Sequence, residues 1–149
     1  MRIRVVTTVK APFKIVCDNF DRKLFEYLLP SVLPAVIRRY EGHMPGDIVD
    51  VTLKLPFARY WTLITKETWK TAKEFGFTER GLRTPLGIKY WHHTHRVVAR
   101  NQTSCFIIDE IEFDTLFHLT DYTHYGFLYG VLYYHKLMYS RYFKKLGYK

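Results

Sequence analysis

The stretch Gly81-Leu82-Arg83-Thr84-Pro85-Leu86-Gly87-Ile88-Lys89-Tyr90-Trp91-His92-His93-Thr94-His95-Arg96-Val97-Val98-Ala99-Arg100-Asn101-Gln102-Thr103-Ser104-Cys105-Phe106-Ile107-Ile108-Asp109-Glu110-Ile111-Glu112-Phe113 decides the fold. Its polarity alternates with the two-residue period of strands on both sides of the polar connection 100–103, so it reads as a long hairpin. One face of the first strand carries Trp91, His93, His95, Val97 and Ala99, and the other carries His92, Thr94, Arg96 and Arg100. On the second strand Cys105, Ile107, Asp109, Ile111 and Phe113 alternate with Glu110 and Glu112. A slip of one residue would exchange the faces, so the pattern selects a register. Keeping Arg96, Glu110 and Glu112 on one side pairs Val97 with Ile107 and His95 with Asp109 on the other. That register needs an odd-numbered loop, which Asn101 can serve in a left-handed conformation. The inner face is mostly apolar yet holds two histidines and a carboxylate, which suits a cavity wall better than a dry core.

Working outward, Ile3 to Val9 reads as the first strand, ended by Ala11-Pro12. Phe13, Val16, Cys17 and Phe20 then recur at helical spacing, and Asp21 caps a second short helix through Leu24, Phe25 and Leu28 that Pro30 stops. Strands follow at Ala35 to Tyr40, Asp47 to Leu55 (broken by Pro56-Phe57), Arg59 to Trp69 and Lys73 to Arg80, the last closed by Gly81. With the hairpin this makes seven strands, and no crossover helix lies between the later ones, so the sheet is expected to be antiparallel. From Asp121 to Leu146 the period becomes helical, with Thr120 or Asp121 as cap and Gly147 as stop. Tyr125, Leu128, Leu132, Tyr139, Tyr142 and Leu146 share one side of this helix. Gly126 and Gly130 weaken it by about 1 kcal/mol each relative to alanine. Its middle is expected to line a cavity with Tyr125, Tyr129, Leu132 and Tyr133.

The whole chain, 149 residues, has the length of one domain and an ordinary hydrophobic share of 48%. Its aromatic share of 17% fits a large core or an aromatic-lined pocket. No apolar run is long enough to span a bilayer, and the alternating N-terminus does not read as a secretory signal. A cytoplasmic location with Cys17 and Cys105 as reduced thiols is expected. The net charge of +9 is spread along the chain, concentrated only at Arg141, Lys144, Lys145 and Lys149. Nucleic acid is therefore disfavoured as the main partner, and peripheral membrane contact, if any, falls to the basic C-terminus.

The order strand, two short helices, six strands, long helix resembles the helix-grip fold of the START and birch-pollen-allergen (SRPBCC) superfamily. Val9-Lys10-Ala11-Pro12 is similar to that family's strand-to-helix junction, and Gly46-Asp47 to the start of its third strand. Gly81 to Leu86, Trp91-His92-His93-Thr94-His95, Thr103 and Asp109-Glu110-Ile111-Glu112-Phe113 resemble the hairpin of a bacterial branch of it, and Leu137 to Arg141 its final helix. The resemblance implies an α+β fold with the long helix across the concave face of the sheet and a hydrophobic cavity between them. Members of that superfamily bind lipids, hormones or polyketides and some catalyse cyclisation or aromatisation, so the resemblance implies a hydrophobic or amphipathic ligand of the lipid, polyketide or isoprenoid type and carries no catalytic residue over.

The residues add candidates of their own. Trp91, His93, His95, Asp109, Ile111, Phe113, Tyr125, Tyr129, Leu132 and Tyr133 are the expected ligand contacts. His93 and His95, two apart on a strand, can share a zinc ion with Asp109 as the third ligand. The simpler expectation is that Asp109 orients His95 and that no stoichiometric metal or cofactor is held. The rival to a carrier is a cyclase or dehydratase using His93, His95 and Asp109. A second rival is a protein whose cavity its own aromatics fill and which acts through its surface.

Overall fold

In the computed structural model, which describes residues 1–31, 34–54 and 60–148, the hairpin supplies the second and third strands from one edge of a seven-stranded sheet. Its strands, β6 (Ile88–Asn101) and β7 (Ser104–Thr115), pair with Val97 opposite Ile107 and His95 opposite Asp109, as the polarity pattern requires. The odd residue enters differently from the expectation. Asn101 is not left-handed; instead the register shifts between Ala99 and Asn101, and Arg100 forms a bulge. Asn101 Oδ1 accepts from the Thr103 amide and the Ser104 hydroxyl, which holds the tight turn without a positive φ.

The remaining strands are β1 (Arg2–Val9), β2 (Ala35–Tyr40), β3 (Ile48–Leu53), β4 (Tyr60–Lys70) and β5 (Glu74–Arg83). The sheet order is β1-β7-β6-β5-β4-β3-β2, antiparallel throughout, so the first two strands lie at opposite edges. Helices α1 (Phe13–Asp18) and α2 (Arg22–Leu28) carry the chain from one edge to the other. Asp21 caps α2 by accepting from the Leu24 amide at 3.0 Å. The expected break at Pro56-Phe57 and the strand start at Arg59 fall outside the described residues.

Gly81 does not close β5; the strand runs through it to Arg83. A Cβ there would lie 2.5 Å from Thr84 Cγ2 and 3.0 Å from Trp91 Cβ, so the glycine makes room for close packing rather than for a turn. On the outer face Arg96 makes a two-nitrogen contact with Glu74, while Glu110 pairs with Arg2 and Arg4 of β1.

Helix α3 (His118–Lys145) begins a turn earlier than its spacing predicts. Neither expected cap serves it. Asp121 turns back to accept from the Thr115 amide at 2.9 Å, tying the helix to the end of β7, and Thr120 Oγ1 donates to the Phe117 carbonyl. Gly147, at φ 100°, ends the helix as expected. Leu128 and Leu132 pack with Ile3, Val5, Trp91 and Phe113 at one end of the concave face. Met138, Tyr139 and Phe143 pack with Phe20, Phe75 and Val97 at the other. No helix among the described residues is long and apolar enough to cross a membrane.

Two expected outcomes follow from this packing. Side chains added at Gly126 and Gly130 would meet open space. Replacing either with alanine is expected to raise stability by about 0.5–1 kcal/mol, read as a shift of the urea midpoint at unchanged slope. The free thiols are buried, which pushes Cys17 up to about 11 and Cys105 to about 12. Iodoacetamide at neutral pH should therefore leave both unmodified in the native protein and alkylate both in denaturant.

Candidate functional site

The inner faces of β6 and β7 are apolar towards both ends and polar between, and that of β5 turns from apolar to polar along its length. On β6 Trp91 belongs to one apolar cluster and Val97 to the other, with His93 and His95 between them. On β7 Ile111 and Ile107 flank Asp109, and on β5 Phe75 and Phe77 give way to Glu79. Thr7 of β1 and Thr65 of β4 extend this buried polar band to either side. Register brings its members together: Glu79 lies opposite both Thr65 and His93, and Asp109 opposite His95.

Asp109 is fully buried and its Oδ1 is the hub. His95 Nδ1 lies 2.7 Å from it, His93 Nε2 3.6 Å, and the Tyr139 hydroxyl donates to it from α3 at 3.4 Å. Burial opposes the charge of Asp109, but the nearby His93 and His95, the latter hydrogen-bonded to it, outweigh burial and hold the carboxyl below its usual range. Burial also works against a charge on His95; its hydrogen bond with Asp109 and the nearby Glu79 carboxylate together prevail and raise it to about 9. His93 is lowered, by burial first and by the neighbouring His95 second, so it is the neutral partner of the pair. The two rings lie 3.8 Å apart between centroids. His95 Nε2 points away from Asp109 and reaches within 3.6 Å of Glu79 Oε2. Burial raises the Tyr139 phenol well above its ordinary range, so it serves as a donor.

This band forms the polar end of a cavity of about 130 Å³ between the sheet and α3. Its walls are Val51, Leu53, Trp61, Leu63, Trp91 and Ile111 from the sheet, Phe25 and Leu28 from α2, and Phe127, Leu128, Val131 and Leu132 from α3. Glu79, His93, His95 and His135 supply its polar lining. Burial drives His135 down to about 4, leaving it neutral, and its Nδ1 has no hydrogen-bond partner among the described residues. The same holds for the buried His93 Nε2, Asp109 Oδ2 and the indole nitrogens of Trp61 and Trp91.

Of the residues the sequence nominates, Trp91, His93, His95, Ile111 and Leu132 meet around the cavity. Asp109 stands behind His95 rather than on the wall, and Phe113 is sealed in the core beneath. The three tyrosines require correction. Tyr125, Tyr129 and Tyr133 are exposed and stack on one another along the outside of α3. At about 100° per residue, Tyr129 and Tyr133 each lie more than a quarter-turn from the leucine just before them, and Leu128 and Leu132 take the inward positions. Glu79 and His135 are the residues that sequence reasoning misses. Both carry a signal: Glu79 continues the Phe75-Phe77 alternation, and His135 falls on the Leu128-Leu132-Tyr139 seam.

No family model matches this sequence, and no curated protein is similar to it. Solved structures are. Norcoclaurine synthase from Thalictrum flavum, in complex with dopamine and hydroxybenzaldehyde, superposes with a TM-score of 0.71 at 17% identity, over 97% of this chain and 87% of that one. A nucleoside-diphosphate sugar epimerase from Corynebacterium glutamicum gives a TM-score of 0.72 at 16% identity, over 97% of this chain and 30% of that one. The Zhui aromatase/cyclase from Streptomyces sp. R1128 gives 0.55 at 14% identity, over 77% and 68%. The chain has the helix-grip fold that the resemblance implies, and at these identities the likeness is one of fold.

Proposed function

We propose that the protein binds a small, largely apolar molecule with one polar end, held between the sheet and α3. The observation that carries this reading is the cavity itself: apolar on nearly every wall, and closed at one end by Glu79, His93 and His135. At about 130 Å³ it is close in size to an engineered apolar cavity of about 150 Å³ that takes benzene, so a single ring or a short branched chain is the scale of the ligand. Apolar contact supplies affinity at roughly 25 cal/mol per Å² removed from water. The unpartnered nitrogens of His93 and His135 supply orientation, since a ligand hydroxyl or carbonyl placed there satisfies groups that are otherwise stranded. The aromatic ligands of the structurally similar norcoclaurine synthase are of this size and polarity, which supports the reading.

The test uses Trp61 and Trp91, whose rings meet at 4.7 Å on the cavity wall, as fluorescent reporters. Titration with single-ring phenols and aldehydes, and with short fatty acids, should change their emission saturably. Charged substitutions at Trp91 or Leu132 would strike the core, because both are buried. Val131→Trp is the better probe: the residue is half-buried on the wall, and the larger side chain fills the cavity. Affinity is expected to fall at least tenfold (about 1.4 kcal/mol) with the fold intact. Unchanged binding in Val131→Trp would sink the assignment.

The same polar end favours a second reading. An imidazolium at His95, fixed between Asp109 and Glu79 and bordering the cavity, is placed to give a proton to a bound carbonyl or hydroxyl, as a cyclase or dehydratase requires. Recovering each bound compound after incubation and finding it chemically altered would establish this reading over simple carriage.

A further inference from the structure

We propose that Glu79, His93 and His95 form a binding site for one divalent transition-metal ion of the zinc type, opening onto the apolar cavity. The site shares His93 and the polar end of the cavity with the organic ligand proposed above, but it is assembled by the sheet alone. His93 and His95 share the inner face of β6, and Glu79 lies directly opposite His93 on β5. One ligating atom from each of the three falls within 4.8 Å of the others. His95 Nε2 and Glu79 Oε2, 3.6 Å apart, are near the spacing of about 3.3 Å that two ligands take around a tetrahedral ion at bond lengths of about 2.0–2.1 Å.

Three further observations point to a cation. The ring of His95 is held from behind by the 2.7 Å contact between Nδ1 and Asp109, which fixes the tautomer and aims Nε2 at Glu79. A carboxylate behind a histidine is the usual support of a metal-bound imidazole. The second is an unmet need: His93 is more than nine-tenths buried, and its Nε2 has no hydrogen-bond partner. The third is charge. Glu79 and Asp109 are both buried, and among the described residues neither has a lysine or arginine partner, only these histidines. A divalent ion brings two positive charges against these two carboxylates. Two imidazoles and one carboxylate leave a coordination position free, and all three side chains line the cavity. The sequence-based expectation of no metal counts Asp109 as the third ligand; the structure puts Asp109 behind the site and Glu79 in its place.

The experiment is calorimetric titration of the chelator-treated, full-length protein with Zn²⁺, with Co²⁺ absorption as a second reading. One ion per chain is expected, with the intense visible bands that Co²⁺ shows in four- or five-coordinate sites. Glu79→Gln, which keeps shape and volume, and His93→Ala should each weaken binding at least a hundredfold, with folding checked by circular dichroism. Asp109→Asn should weaken it about 10–100-fold, as loss of a supporting carboxylate does. His118→Ala, which removes an exposed ring outside the site, should change nothing. No stoichiometric uptake by the native protein, Co²⁺ bands of the weak six-coordinate kind, or equal affinity in Glu79→Gln overturns the proposal whether or not His93→Ala folds. Because the titration contains no organic ligand, and the fluorescence titration is run on metal-free protein, failure of one reading leaves the other standing.

Discussion

Replacing Asp109 with alanine is expected to remove about 3 to 5 kcal/mol of folding stability in metal-free protein, the largest loss for any polar side chain of this fold. The carboxylate is fully buried, so nothing is gained from hydrating the space it leaves. His95 loses its 2.7 Å partner, His93 its nearest anion, and Tyr139 the acceptor of its hydroxyl. A domain with a typical 5–15 kcal/mol in hand survives the change, but only just. The loss belongs to the stranded partners more than to the pair itself, and a second substitution separates the two. His95→Phe keeps a ring against Phe77, now 4.7 Å away and nearly parallel, and removes the group that Asp109 leaves unpaired. The double variant Asp109→Ala/His95→Phe should therefore cost less than the sum of the two single variants. Urea unfolding in the presence of chelator measures all three. A single-variant loss below about 1 kcal/mol would mean that Asp109 is not the charged hub described here.

The hairpin shows why so much of this was legible. From Trp91 to Val97 on β6 and from Asp109 to Phe113 on β7 each buried residue alternates with a polar one, and a slip would bury Glu110 and Glu112, so periodicity sets the faces and the pairing of His95 with Asp109. The limits of that signal are equally physical. The expected strand Lys73 to Arg80 already puts Glu79 on the face of Phe75 and Phe77, but a carboxylate at the end of such a pattern reads as solvent-facing, and only the structure shows it buried. On α3 the period is no guide to the inward side, because aromatic residues surround the helix: Tyr125, Tyr129 and Tyr133 are as hydrophobic as the residues that actually turn inward. The turn chemistry is ambiguous for a related reason. Asn101 can supply an odd residue by its backbone or hold a bulge by its side chain, and only the chain's course selects the latter.

A buried polar band is costly, and its placement narrows what it is for. Thr7, Asp109, His95, His93, Glu79 and Thr65 run across five strands between two apolar clusters that would otherwise merge. Several of its atoms have no partner among the described residues, each a penalty of about 1–3 kcal/mol if it stays so. Those at the cavity end, His93 and His135, are the ones a ligand or ion can satisfy. Stability is thereby coupled to occupancy: a molecule that partners these nitrogens should raise the unfolding midpoint with its concentration.

Tyr139→Ala is expected to cost about 3 to 5 kcal/mol, comparable to the loss of Asp109 but by a different route. Tyr139 has no exposed surface; its ring stacks on Phe20 of the α1–α2 segment at 6.0 Å and its hydroxyl reaches Asp109. It is thus the residue by which the second half of α3 grips both the short helices and the polar band. Truncation leaves a ring-sized void flanked by Phe143, Met138 and Phe20, which rigid strands beneath cannot close. Tyr139→Phe separates the two contributions. It keeps the ring and loses only a 3.4 Å hydroxyl contact, worth about 1 kcal/mol. For a chain of this length the alanine variant should melt roughly 6–20 °C lower, and the phenylalanine variant about 2–4 °C lower. Hydrogen exchange should place the alanine variant's loss of protection in the C-terminal half of α3 first, since Leu128 and Leu132 still anchor the other half through a separate cluster. Equal melting of the two variants would show that the hydroxyl, not the ring, docks the helix.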